Sequence, residues 1–138
     1  MTAREFELRH PTGLLVSSRL TEAELISTLP QVSDSRQDKH TGWAWYRLPA
    51  YEDREVIVRI ALGFNRGVLK KVTLSDGHSK YGGDWKDWSK EKECSRAASL
   101  GTWLSDVGYP AGTYAWGTIW VGYDEKAGTG GARIRFAT

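Results

Sequence analysis

The stretch that decides the fold runs Val56-Ile57-Val58-Arg59-Ile60-Ala61-Leu62-Gly63-Phe64, then Asn65-Arg66-Gly67, then Val68-Leu69-Lys70-Lys71-Val72-Thr73-Leu74. Val56, Val58, Ile60, Leu62 and Phe64 alternate with their neighbours, so they share one face of a strand predicted from Glu55 to Phe64. Asn65-Arg66-Gly67 reads as a three-residue hairpin connection, with Gly67 suited to the left-handed position. Val68 to Leu74 then returns antiparallel, which places an antiparallel hairpin at the centre of the chain.

Working outward, Trp43 to Leu48 reads as another strand, closed by a turn at Pro49 to Asp53. Gln31 to Thr41 is polar and reads as a loop. Before it, Leu20-Thr21-Glu22-Ala23-Glu24-Leu25 carries a capping box between Thr21 and Glu24, with Leu20 and Leu25 at the positions of a hydrophobic staple. That helix ends near Leu29, because Pro30 disfavours helical geometry in the residue before it. Two short strands, Glu5 to Arg9 and Leu14 to Val16, flank a turn at Pro11-Thr12-Gly13.

Downstream, Ser75 to Asp87 is a Gly-rich loop containing His78, Tyr81 and Trp85. Ser89 is an N-cap with Glu91 and Glu93 in the first turn behind it. Cys94, Ala97, Leu100, Gly101, Leu104 and Val107 recur at helical spacing until Gly108 and Pro110 stop the helix. Tyr114 to Tyr123 is a strand, Asp124 to Gly131 a hairpin loop, and Ala132 to Ala137 the last strand. The order ββ-α-βββ-α-ββ predicts one α+β domain over residues 1–138, with a mostly antiparallel sheet and two helices.

Composition narrows the function classes. The chain has 138 residues, 40% hydrophobic and 26% charged, as expected of a globular domain rather than a disordered one. Lys plus Arg number 19 against 17 for Asp plus Glu, a net charge of +2, which argues against a dedicated nucleic-acid coater. The single Cys94 excludes an intrachain disulfide and a thiolate metal cluster. Neither the ~7–15 apolar residues of a secretory signal nor the ~20 of a membrane span are present, which makes a cytoplasmic location the expectation.

The excess of tryptophan, 7 residues, carries the most functional information. Val56, Val58, Ile60, Leu62 and Phe64, then Ile119 with Val121, and Ile134 with Phe136 form aliphatic-rich sets suited to packing under the helices. The opposite faces carry Arg59, then Tyr114, Trp116 and Trp120, then Arg133 and Arg135, so tryptophan is interleaved with arginine. Arg over Trp is a favourable cation–π pairing, and both residues are enriched at binding hot spots. One reading is a recognition surface. The other is that arginine stems and indoles cover each other and keep a second face soluble.

Catalytic chemistry is harder to find. Cys94 lies near a helix N-terminus but also on the small-residue stripe with Ala97 and Gly101, which favours a core cysteine. His10, His40 and His78 are far apart and fit no metal-ligand spacing, so loop polarity accounts for them and no metal or cofactor is expected. Gly128-Thr129-Gly130-Gly131 lacks the Lys-Ser/Thr pair of a phosphate loop and reads as a flexible hairpin tip. No Gly-x-Ser-x-Gly elbow occurs, and no carboxylate pair is set across a cleft, so a non-enzymatic role is expected. In Tyr81-Gly82-Gly83-Asp84-Trp85-Lys86-Asp87-Trp88, one Trp is expected to be structural and the other partly exposed.

The pattern Trp85-x-x-Trp88-Ser89-x-Glu91-x-Glu93 with Trp103-Leu104, then Tyr114-x-Trp116-Gly117, Tyr123-Asp124-x-Lys126-x-Gly128 and a final Ile-x-Phe strand, resembles small bacterial proteins. Several of these are similar to immunity proteins encoded beside polymorphic or contact-delivered toxins. The resemblance spans about residues 55 to 138. It implies a steric mechanism, in which the domain binds one cognate toxin and blocks its active site. A pI near 8.7 fits a toxin with an acidic or neutral cleft better than a nuclease requiring an acidic mimic. The expected partner-binding residues are Arg59, Tyr81, Trp85, Trp116, Trp120, Arg133 and Arg135. The competing readings are a module that stacks single-stranded nucleic acid on the Trp/Arg face, and a small-molecule binder with a tryptophan-lined pocket.

Overall fold

The computed structural model describes residues 5–32, 34–38 and 40–137. β1 (Glu7–Arg9) and β2 (Leu15–Ser17) form a small antiparallel hairpin. α1 (Glu22–Thr28) follows, its Thr21 hydroxyl accepting from the Glu24 amide at 3.1 Å. Leu20 and Leu25 are both buried, as a staple requires. Then come β3 (Asp34–Asp38), β4 (Trp43–Arg47), β5 (Tyr51–Asp53), β6 (Val56–Asn65) and β7 (Val68–Asp76). Two single 3-10 turns, Ser79–Tyr81 and Trp85–Asp87, lead into α2 (Lys90–Asp106). β8 (Gly112–Tyr114), β9 (Gly117–Asp124) and β10 (Thr129–Phe136) complete the chain.

The fold is α+β, with a mostly antiparallel sheet and two helices. The main sheet runs β3-β4-β6-β7-β10-β9-β8, and β5 pairs with the part of β6 that β4 leaves free. The central hairpin pairs Ile60 with Leu74 and Leu62 with Val72. Its turn holds two residues rather than three, because Asn65 already pairs with Val68. Arg66 and Gly67 take φ of 50° and 84°, the mirror-image turn geometry that matches strand twist.

Two predicted connections are strands, and one predicted strand is a hairpin. Within Gln31 to Thr41, β3 pairs antiparallel with β4. An edge strand is held by its ladder on one side, so it needs no apolar alternation, and Asp-Ser-Arg-Gln-Asp shows none. Within Pro49 to Asp53, β5 extends the edge of β6. The predicted strand Tyr114 to Tyr123 is instead the hairpin β8–β9, with Ala115 and Trp116 as its turn between the paired Tyr114 and Gly117.

Both helices and the β1–β2 hairpin cover one face of the main sheet. That face supplies Tyr46, Val58, Ile60, Leu62, Phe64, Val72, Leu74, Ile119, Ile134 and Phe136 to the core. Leu25 comes from α1, and Leu100, Trp103 and Leu104 from α2. Phe6 packs on Tyr109 and Phe136, closing the core at the end of α2. His10, expected in a polar loop, is buried there: its Nε2 lies 2.8 Å from the Pro49 carbonyl and its Nδ1 2.7 Å from the Thr12 hydroxyl. Its imidazole joins the β1–β2 turn to the β4–β5 connection, so structural anchoring accounts for it better than solvation.

Gly130 and Gly131 belong to β10 rather than to a hairpin tip, because the chain needs their small size. A Cβ on Gly130 would sit 1.8 Å from the backbone oxygen of Glu93, so α2 lies directly on the strand there. Gly130→Ala must push the helix from the sheet and is expected to cost about 3 kcal/mol in urea unfolding. Gly83→Ala, with nothing near its added methyl, is expected to stay within about 0.5 kcal/mol. Equal losses for the two variants would refute the close approach.

Candidate functional site

No helix among the described residues covers the second face of the main sheet. Cross-strand register orders its side chains. One row runs Trp120, Arg133, Thr73, Ala61 and Arg47; the next runs Thr118, Arg135, Lys71, Gly63 and Trp45. The guanidinium of Arg133 lies 5.2 Å from the centroid of Trp120, its direct cross-strand partner, and also pairs with Asp124. Trp43 and Trp45 stack at 6.0 Å, and the Lys71 ammonium sits 5.1 Å from the Trp43 ring. Glycines let the indoles lie flat: a Cβ on Gly63 would fall 2.7 Å from the Trp45 ring, and one on Gly122 would fall 2.9 Å from Trp120.

At one end this face opens into a cleft of about 550 Å³. Its origin is a split in the sheet. β7 and β10 pair from Lys71 with Arg135 to Leu74 with Ala132, and the ladder then stops although both strands continue. Their unpaired backbone groups are taken by α2. Arg96 Nη1 donates to the Asp76 carbonyl at 2.5 Å, and Nη2 donates to those of Tyr81 and Gly82 at 2.7 and 3.1 Å. The Glu93 carboxylate accepts from the Gly130 amide at 3.1 Å and from Arg96 Nε at 3.1 Å. This ion pair is buried, and it forms the floor of the cleft.

The rest of Asp76 locks the same corner. Its carboxylate accepts from the amides of Ile57 and His78 and from the Ser99 hydroxyl. From there the loop turns to the rim, where Asp84 and Asp87 form a capping box around the second 3-10 turn. Hydrogen bonds from the Asp84 and Gly83 amides hold the Asp87 carboxyl below its ordinary pKa. The turn fixes Trp88, whose indole N–H donates to the Gly128 carbonyl at 2.7 Å, and leaves Trp85 76% exposed. Arg59 faces them with its Nε on Ser75 Oγ and, among the described residues, no carboxylate partner. Desolvation and the nearby Arg96 lower the pKa of Arg59 from the usual arginine value.

Five of the seven expected residues, Arg59, Tyr81, Trp85, Trp120 and Arg133, therefore line one cleft. Arg135 lies on the same face one row away, exposed beside Lys71. Trp116 does not belong to the site. It sits in the β8–β9 turn, where strand alternation no longer applies, and packs on Phe6, Phe136 and Tyr114 at the core. Tyr114 leaves the face with it. Cys94 is exposed rather than buried, because the inward stripe of α2 runs Glu93, Arg96, Ala97, Leu100 and Leu104. Glu93 and Arg96 were missed as functional residues, although their positions four before Ala97 and Leu100 place them on that stripe. Among the described residues no group of three His, Cys, Asp or Glu is placed to hold a metal.

Removing one partner of a buried pair strands the other, so Arg96→Met is expected to cost about 3–5 kcal/mol in urea unfolding. A loss below about 1 kcal/mol would show that the pair does not hold the split. Asp87 gives a pH-dependent readout. Its folded pKa is depressed, so its support for the rim is complete above the unfolded value of about 3.9 and fades as pH falls through the folded value. Tryptophan emission is thus expected to stay constant from neutrality to about pH 4 and to change below it. Asp87→Asn should show that change already at neutral pH; emission identical to the parent would contradict this.

No family model matches the chain, and no curated protein or solved structure matches it either.

Proposed function

We propose that this chain is a non-enzymatic binding domain that docks an acidic protein surface on its open Trp/Arg sheet face. The observation that carries the reading is the charge of that face. Arg47, Arg59, Lys71, Arg133 and Arg135 share it, and among the described residues Arg133–Asp124 is the ion pair on it. Arg47, Arg59 and Arg135 enter no ion pair among the described residues, and such cations on an aromatic surface favour a partner that brings carboxylates. Trp120 is engaged by Arg133 and Gly122, and Trp45 by Trp43 and Gly63, so these indoles are already occupied. That disfavours nucleic-acid stacking, which needs free rings.

The resemblance to immunity proteins adds a biological form to this reading: a cytoplasmic domain that covers the acidic cleft of one cognate toxin. No helix among the described residues is long and apolar enough to cross a membrane.

Co-expression with the product of the adjacent gene, followed by titration of the purified pair, tests the proposal. Binding is expected to weaken with salt, and Arg135→Glu should lower affinity about tenfold or more, whereas Arg19→Glu, remote from the face, should not. Neither binding nor protection against that product would refute the immunity form. Saturable quenching by a single-stranded oligonucleotide, lost at high salt, would replace it with the nucleic-acid reading.

A further inference from the structure

The cleft has features that flat docking does not use. Its volume of about 550 Å³ lies within the range of small-ligand sites. It is also a constructed opening. Gly131 is packed so tightly on the Leu74 carbonyl that a Cβ would fall 2.5 Å away, and Asp76 and Gly130 direct their backbone groups to Arg96 and Glu93 instead of to each other. The rim is equally built. A capping box holds Trp85 76% exposed at the mouth, and Trp120, 43% exposed, lines the same cleft. Arg59 lines the same cleft with a guanidinium whose terminal nitrogens meet no carboxylate among the described residues, while its stem lies against Gly77, where a Cβ would fall 2.9 Å away.

We propose that this cleft is a binding site for a small planar anion, an aromatic or heteroaromatic body carrying a phosphate or carboxylate. Arg59 receives the anionic group in its free fork, and Trp85, the most exposed indole at the mouth, offers its face to the ring. Glu93 does not repel the anion, because its charge is matched by Arg96 at 3.1 Å and by the Gly130 amide. Arg133 is matched by Asp124, and the Asp84 carboxylate on the rim caps its own 3-10 turn, so Arg59 is the lining cation left to meet the anionic group.

Tryptophan quenching of the full chain by adenosine 5′-monophosphate tests the site, with adenosine and inorganic phosphate as its halves and nicotinate as the carboxylate counterpart. A saturable response is expected to at least one of the two whole anions, about tenfold tighter than to either half of the nucleotide where that one binds. Arg59→Gln and Trp85→Ala should each weaken it about tenfold, whereas Arg19→Gln, remote from the cleft, should leave it unchanged. Both altered side chains are exposed, so an unchanged urea midpoint is expected to confirm folding. No saturable response to either anion, or equal affinity in the Arg59→Gln variant, would overturn the proposal. Failure here leaves protein docking standing, since docking is read at Arg135, which does not line the cleft.

Discussion

The buried Glu93–Arg96 pair is the constraint on which the rest of this molecule depends. Two charges taken out of water are costly, and their mutual attraction seldom repays that in full. Here the cost is met by directed hydrogen bonds. Arg96 reaches three carbonyls from two segments, and Glu93 takes an amide from a third. A pair of apolar residues would leave those backbone groups buried and unmatched, which is worse. The pair thus specifies where the β7–β10 ladder ends and fixes α2 against both strands. It also sets the angle at which the Tyr81–Trp88 loop leaves the sheet. The cleft, its floor and its rim follow from that one choice.

Much of this was legible in the sequence, and the unreadable parts share a cause. The central hairpin, both helices and the last strand carry strong local periodicity, because one face of each is buried against a continuous core. β3, β5 and β8 carry none, since each is a short edge strand held by backbone pairing. The site divides the same way. Arg59, Trp120 and Arg133 were readable because alternation inside a strand fixes the side of the sheet. Trp116 was misplaced by extending that alternation through a two-residue turn. Cys94 was placed inward for its size and hydrophobicity, when the helical phase at that position belonged to charged Glu93. Buried charges defeat hydropathy patterns, because their burial is decided by partners distant in sequence, such as Gly130 and Tyr81.

The open face also shows how a sheet surface can be both aromatic and orderly. Large indoles on a bare strand would ordinarily stand out into water and sample several rotamers. Here glycines at 63 and 122 remove the neighbouring Cβ atoms, so Trp45 and Trp120 lie down along the strands instead. Arg133 and Trp43 then restrict them from the other directions. A glycine inside a strand weakens it, so the arrangement concedes some stability in the ladder for a flat surface. What it gains is pre-organisation: side chains already fixed lose little entropy when a partner arrives, and that loss is a main cost of association. The tryptophans on this face therefore act less as sticky apolar area than as a rigid bed on which guanidinium groups are displayed. Recognition on such a surface is governed by the position of the partner's charges, since the bed itself has little freedom to adjust.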